Sequence, residues 1–316
     1  MRPRFPHSCC RQPWRSRWFS GGSCRFRGVC NMNTPSLGLS SQPVGRTRIP
    51  LSVGQMAIVS VALLVLLFLI GPILIIVMMS FGDAAYIQFP PHVLSLKWYA
   101  QYFSDVDWMS ATWFSLKIAF ATTISATVIG TMASIALVRG AFPGKAAVQA
   151  VALSPLVVPH IVIAIALYLF FAPLGLIGNF GGFLIAHTVL AVPYVVITVS
   201  AALKSFDPVL ERAALNCGAT RLTAFFTVVL PDIVPGIAAG AVFAFLASFD
   251  EATVAFFLSD TGGKTITRKF FEDIDYNLTP IIAAVATITI VLSLALMTGI
   301  RMLERRTSGK SRKTQI

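Results

Sequence analysis

The chain has 316 residues, 56% of them hydrophobic and only 12% charged, with a mean hydropathy of +0.76. An ordinary soluble domain carries about 25% charged residues, so this composition excludes a large soluble protein with buried helices. The formal charge of +12 is accounted for by membrane topology and basic tails, and no nucleic-acid partner is expected.

Residues 1–31 hold seven Arg, no acid, and Cys9, Cys10, Cys24 and Cys30. They lack the apolar core of a secretory signal. The cysteines lack the paired spacing of a zinc site, which His7 alone does not repair, and a disulfide framework is disfavoured on a reducing cytoplasmic side. The segment reads either as a disordered basic tail or as an upstream extension of a chain whose translation begins at Met32. The abrupt change of composition after it favours the second.

Six stretches reach the roughly 20 apolar residues that a bilayer-crossing helix needs: about 55–79, 116–138, 147–171, 182–203, 233–256 and 280–300. An all-α polytopic membrane protein is therefore expected. Its parts are a basic tail at 1–54, a transmembrane domain at 55–303 and a basic tail at 304–316. Gly71-Pro72 marks a kink in the first span. The loop 82–115 is rich in aromatics, among them Tyr86, Trp98, Tyr99, Trp108 and Trp113. It reads first as an interfacial belt over a short surface helix, a reading compatible with part of a docking face for an external partner.

Pro155 and Pro159 in the third span and Pro193 in the fourth free backbone carbonyls and bend their helices, which a membrane tolerates only against neighbours or a water-filled path. His160 follows Pro159 inside the third span. A histidine there, like His187 in the fourth, is a relay, a ligand contact or a satisfied polar residue. The loop 172–181 is short and uncharged, so the third and fourth spans form a tight hairpin. Asp250 and Glu251 come late in the fifth span, about 25 Å beyond residue 233 at 1.5 Å per residue. Adjacent intramembrane carboxyls are costly and mark a path or gate. Lys117 is the nearest basic partner expected for them. A cationic substrate would suit these acids, and so would an Arg from a partner subunit.

Of the 25 Lys and Arg, 20 fall before the first span, in the 2–3 and 4–5 connections, or after the sixth. The positive-inside rule then places both termini and the segment 204–232 in the cytoplasm. Within that segment Asp207 is a good N-cap and Pro208 a good first helical residue. Leu210, Ala213, Ala214 and Cys217 share one helix face, and Gly218 is the expected stop. Thr220 caps a second short helix whose Leu222, Phe225, Phe226 and Val229 repeat the spacing, before Leu230-Pro231 enters the next span. A small-faced amphipathic helix on the cytoplasmic side of a membrane domain is a docking element.

No hydrolase or metal motif accompanies these features. GGKT at 262–265 has Leu258 where a phosphate loop needs its first Gly, and GAFPGKA at 140–146 is one residue short and ends in Ala146. Neither is a nucleotide site. Energy for uphill movement must enter through another polypeptide.

The run ERAALNCG, nine residues and then VVLP resembles the "EAA" loop of bacterial ABC importer membrane subunits, with Ala213, Ala214, Gly218, Val228, Leu230 and Pro231 at its matching positions. Arg212 stands where that loop usually has its Glu, with Glu211 one position earlier. SLKWYAQYF, SPLVVPHIVIAIAL and SFDEATVAFFL look like the spermidine/putrescine permease branch, and the likeness runs from about residue 55 to 303. The resemblance implies a type I importer permease with a coupling loop at 204–231, in which Leu210, Glu211, Ala213, Ala214, Gly218, Leu230 and Pro231 meet an ATP-binding subunit. It also implies a second homologous permease, a periplasmic solute-binding protein, ATP used by the partner with no cofactor on this chain, and an inner-membrane location. Asp250, Glu251, Pro159 and His160 are the candidates for the substrate path or gate. An ABC permease for another small solute is the first alternative; an ion-coupled secondary transporter is the second, favoured by intramembrane acids but not by the docking loop.

Overall fold

The computed structural model describes residues 53–260, 263–276 and 279–313. The readings of residues 1–31 and of their cysteines lie outside the described residues. The chain divides into residues 1–56 and 57–316, and of the first unit only the opening turn of a helix is described.

The architecture is all-α. In order come α1 (Val53–Met79), α2 (Lys97–Ser104), α3 (Val106–Arg139), α4 (Lys145–Leu153), α5 (His160–Phe171), α6 (Phe180–Ser205), α7 (Pro208–Asn216), α8 (Arg221–Ala224), α9 (Leu230–Phe249), α10 (Thr253–Leu258), α11 (Ile266–Tyr276) and α12 (Ile281–Lys313). Five helical stretches are long and apolar enough to cross a membrane, and a sixth arises if the bent pair α4–α5 counts as one span.

Two spans differ from the sequence reading. α3 begins ten residues before the expected 116, because the Asp105 carboxylate accepts from the backbone N–H of Asp107 and Trp108 and caps the helix there. The fifth span stops at Phe249 instead of running to 256: Asp250 ends α9 and a separate helix, α10, follows. The third span breaks as its prolines require. Ser154-Pro155-Leu156 forms one 3-10 turn, Pro159 precedes α5, and the two halves meet at 101°.

α3, α6 and α9 form the centre of the bundle. Ala126, Ala191, Val195, Val199, Ile233 and Ala244 are buried between them. Without a hydrophobic drive between helices in lipid, such contacts rely on small residues that let backbones approach and on interhelical hydrogen bonds. Both devices are present. A Cβ on Gly130 would lie 2.6 Å from Val195 Cβ, and one on Gly240 would lie 3.1 Å from Val195 Cα. The Ser134 hydroxyl reaches Val196 O at 3.2 Å, and Ser125 and Thr188 hydroxyls pair at 2.7 Å. His187, buried in α6, pairs through Nδ1 with Ser248 Oγ at 2.9 Å and so joins α6 to α9. Only that nitrogen is satisfied: the buried Nε2 has no hydrogen-bond partner among the described residues.

α1 is built otherwise. None of its apolar window is covered by the rest of the chain, against 56% for α6. Such a helix is finished by lipid or by another subunit.

At the end of the bundle holding α2 and α11, three basic side chains pair with acids of α11. Lys264 and Arg268 both reach Glu272, at 2.8 and 3.5 Å, and Lys269 reaches Asp273 at 2.9 Å. Burial pulls the Lys269 ammonium down, but its hydrogen bond and charge attraction to Asp273, with Asp107 and Asp105 behind, more than offset this and hold it above the ordinary lysine value.

The close approach at α6 makes a direct prediction. Gly130→Leu should destabilise the bundle by about 1–3 kcal/mol through overpacking, whereas Gly71→Leu, with open space around its Cβ position, should not. Thermal unfolding of the two variants in detergent compares them.

Candidate functional site

Two places in the fold carry polar chemistry that packing alone does not require. The first is where the two broken spans meet. α5 and α10 pack against each other, and each begins beside a break. Glu251 stands just before α10, and its Oε1 accepts from the backbone N–H of Thr253 and Val254 at 2.9 and 3.0 Å. These are two of the donors that a helix start leaves unsatisfied. Its Oε2 lies 3.1 Å from Nδ1 of His160, the first residue of α5. Glu251 is 7% exposed and His160 is 44% exposed, so the carboxylate is closed in while the imidazole looks outward.

The space it faces is a cavity of about 450 Å³ whose wall includes His160, Tyr194, Phe243, Asp250, Glu251 and Thr253. Among the described residues, no Lys or Arg contributes to this wall. Asp250 also lines a second cavity of about 230 Å³, beside Phe270 and Thr289, so it stands between the two. Tyr194 fixes the depth: it lies about 21 Å along α6, a helix about 39 Å long at 1.5 Å per residue. The acids are thus level with the middle of α6, and α10 continues from the break toward the end of the bundle where α6 begins, its Leu258 O accepting from Gly178 N at 2.8 Å.

Of the residues expected here, Asp250, Glu251 and His160 come together, with Pro159 as the extended residue that starts α5. Lys117 is not the partner of the acids: Glu251 pairs with His160, and Lys117 is exposed on α3. Tyr194 and Phe243 were not singled out from sequence, since an aromatic in an apolar span carries no mark of what it faces.

The second place is the connection from α6 to α9. The Asp207 carboxylate caps α7 by accepting from Val209 N at 2.9 Å, and Pro208 takes the first position. Gly218 adopts φ +90, with the N–H of Cys217, Gly218 and Ala219 returned to carbonyls of α7. Thr220 Oγ1 accepts from Thr223 N. α7 has no buried residue. Leu210 and Ala213 are exposed, Glu211 and Ala214 half-buried.

The second helix is not a separate amphipathic unit. α8 passes through a π-helical turn, Phe225–Val229, directly into α9. Pro231 has no N–H to give the preceding turn, and a wide turn there accommodates the loss. The register shift separates the expected face: Val229 is buried while Leu222 and Phe226 are exposed. Leu230 and Pro231 open α9. Sequence reasoning also missed Arg139, whose Nη1 lies 3.0 Å from Glu211 Oε2 across 72 positions of chain.

A multi-span bundle with broken helices around a mid-depth polar cavity, and a surface helix at one end, is the design of a membrane permease subunit. Residues 126–309 match the family described as the binding-protein-dependent transport system inner membrane component. The chain is 32% identical over 239 residues to the spermidine/putrescine transport system permease protein PotC of Haemophilus influenzae, covering 76% of this chain and 93% of that one. It is 33% identical over 228 residues to the putrescine transport system permease protein PotI of Escherichia coli, covering 70% and 81%. The molybdenum transport system permease protein ModB of Escherichia coli is 35% identical over 179 residues, covering 52% and 77%. Among solved structures, a bacterial ABC transporter for the acidic polysaccharide alginate superposes with a TM-score of 0.62 at 15% identity, over 79% of this chain and 94% of that one. The chain belongs to the binding-protein-dependent inner membrane component family, and it is a multi-pass inner-membrane permease subunit of an ABC importer.

The cap at the break yields a prediction. Glu251→Ala should destabilise the protein by about 1–3 kcal/mol, the cost of leaving buried donors unsatisfied, and Glu251→Gln should recover most of it because an amide oxygen still accepts. Thermal unfolding of the purified variants measures both.

Proposed function

We propose that this permease forms half of the path by which a polyamine, spermidine or putrescine, enters the cell. The observation that carries this reading is the mid-depth cavity with adjacent carboxyls, Asp250 and Glu251, two aromatic rings, Tyr194 and Phe243, and, among the described residues, no Lys or Arg in its wall. Carboxylates and aromatic faces are what an alkylammonium recognises, and an oxyanion would meet repulsion there. PotC and PotI, both named for polyamines, support the same cargo.

The orientation follows from charge, with both termini and α7 in the cytoplasm. There α7 seats in a groove of an ATP-binding subunit, its exposed Leu210, Ala213 and neighbouring Ala214 making the contact, and Gly218 setting the turn back to α9. A second, homologous permease completes the path, and a periplasmic binding protein delivers the solute. ATP is hydrolysed by the partner, and this chain binds no cofactor.

The deciding experiment reconstitutes this chain with its ATP-binding subunit, partner permease and binding protein, and follows radiolabelled putrescine and spermidine. ATP-dependent uptake is expected, and Asp250→Asn should raise KM about tenfold or more, since a charge-assisted hydrogen bond contributes about 1.5–3 kcal/mol. Uptake by this chain alone on an ion gradient, or an unchanged KM in the variant, would refute the reading.

Docking has its own test. Ala214→Trp should abolish transport while the ATP-binding subunit still hydrolyses ATP. Gly218→Val, strained by about 1–2 kcal/mol at positive φ, should weaken co-purification with that subunit. Full transport by the Ala214 variant would count against the docking role.

A further inference from the structure

The geometry points to Arg139 as the residue that ties the docking helix to α3, so that force delivered to α7 travels along α3 to the opposite end of the bundle. The inference rests on the docking role proposed for α7. By chain connection α7 joins only α6 and α9; it has no covalent link to α3, which packs against both.

Arg139 supplies that link. It is the last residue of α3, and its Nη1 lies 3.0 Å from Oε2 and 3.2 Å from Oε1 of Glu211. Its guanidinium also sits 5.8 Å from the ring of Phe206, the buried residue at the corner between α6 and α7. One side chain therefore touches the end of α3, the corner and the docking helix. Both charges stand where helix ends favour them, Arg139 in the last turn of α3 and Glu211 in the first turn of α7. Among the described residues, no other ion pair reaches α7.

α3 is suited to carry the movement. It is one uninterrupted helix of 34 residues, about 51 Å long at 1.5 Å per residue. Near its other end the Ser115 hydroxyl accepts from Ile266 N at 2.8 Å, and Trp108 lies under the Lys269 ammonium at 5.6 Å. A displacement at Arg139 thus reaches α11, at the opposite end of the bundle. The spans that contain α5 and α10 are broken and cannot serve as rods.

Arg139 is a positioning residue: it contacts neither solute nor nucleotide. Its pair is partly open to solvent, with side chains 29% and 25% exposed, and such pairs contribute little to folding, so Arg139→Gln should purify with the same subunit stoichiometry as the native chain. The readout is the change in hydrogen–deuterium exchange across residues 105–116 when the assembled complex is trapped with ATP and vanadate. The native chain should show a change, Arg139→Gln should reduce it about fivefold or more, and Arg139→Lys, which keeps the charge, should retain at least half. The double variant R139E/E211R should restore the response. A native-sized change in Arg139→Gln, or loss of the ATP-binding subunit from that variant, overturns the inference alone. Failure of the native chain to hold the ATP-binding subunit overturns the docking reading, and this inference with it.

Discussion

Inside a bilayer a backbone N–H released from a helix has no water to turn to. Every interruption of a span must bring its own acceptor. Glu251 meets that constraint at the break between α9 and α10, where one carboxylate oxygen takes two N–H groups and the other takes His160. The rest of the central site follows. Because the break is satisfied, α9 can stop at mid-depth, Asp250 can stand at its end, and the opening between α5, α6 and α9 can hold polar residues. Without that cap the N–H groups of Thr253 and Val254 would lose their acceptor.

The same carboxylate joins a structural duty to a functional one. Glu251 is closed in and fully engaged, whereas Asp250, one residue earlier, is exposed between two cavities. The pair divides the work: the inner acid caps the break, and the outer acid opens onto both cavities. Adjacent carboxyls in a membrane otherwise repel each other and lack solvation. Giving one of them fixed donors makes the arrangement tolerable.

At the other end the constraint is mechanical. α7 has no buried side chain, so hydrophobic packing does not fix its angle. Its position is set by polar caps at Asp207 and Thr220, the left-handed turn at Gly218, and the Arg139–Glu211 pair. A helix held this way is fixed at its ends and keeps an open face. Glu211, half-buried against Arg139, is an internal anchor first. The acid of this loop therefore serves the permease's own frame, and Arg212 on the exposed side leaves the outer surface basic.

How much of this could be read from sequence divides along one line. Signals local in the chain were legible: the caps at Asp207 and Thr220, the stop at Gly218, the break at Pro155–Pro159 and the two acids each declare themselves through neighbours within four residues. Contacts made across the fold were not. Glu251 seemed to lack a basic partner because its partner, His160, lies 91 positions away on another half-helix, while Lys117 only shared its expected depth. The fifth span looked continuous through Asp250 because hydropathy resumes at once in TVAFFL. Nothing in that pattern shows that a side chain has taken over the backbone's hydrogen bonds. Arg139 was hidden for a similar reason: a basic residue at a span's end satisfies the charge rule of membrane topology, and that sufficient explanation masks a second role. The general consequence is that an intramembrane acid beside a helix start should first be considered as a cap. The neighbouring acid, here Asp250, is the one left to line the cavities.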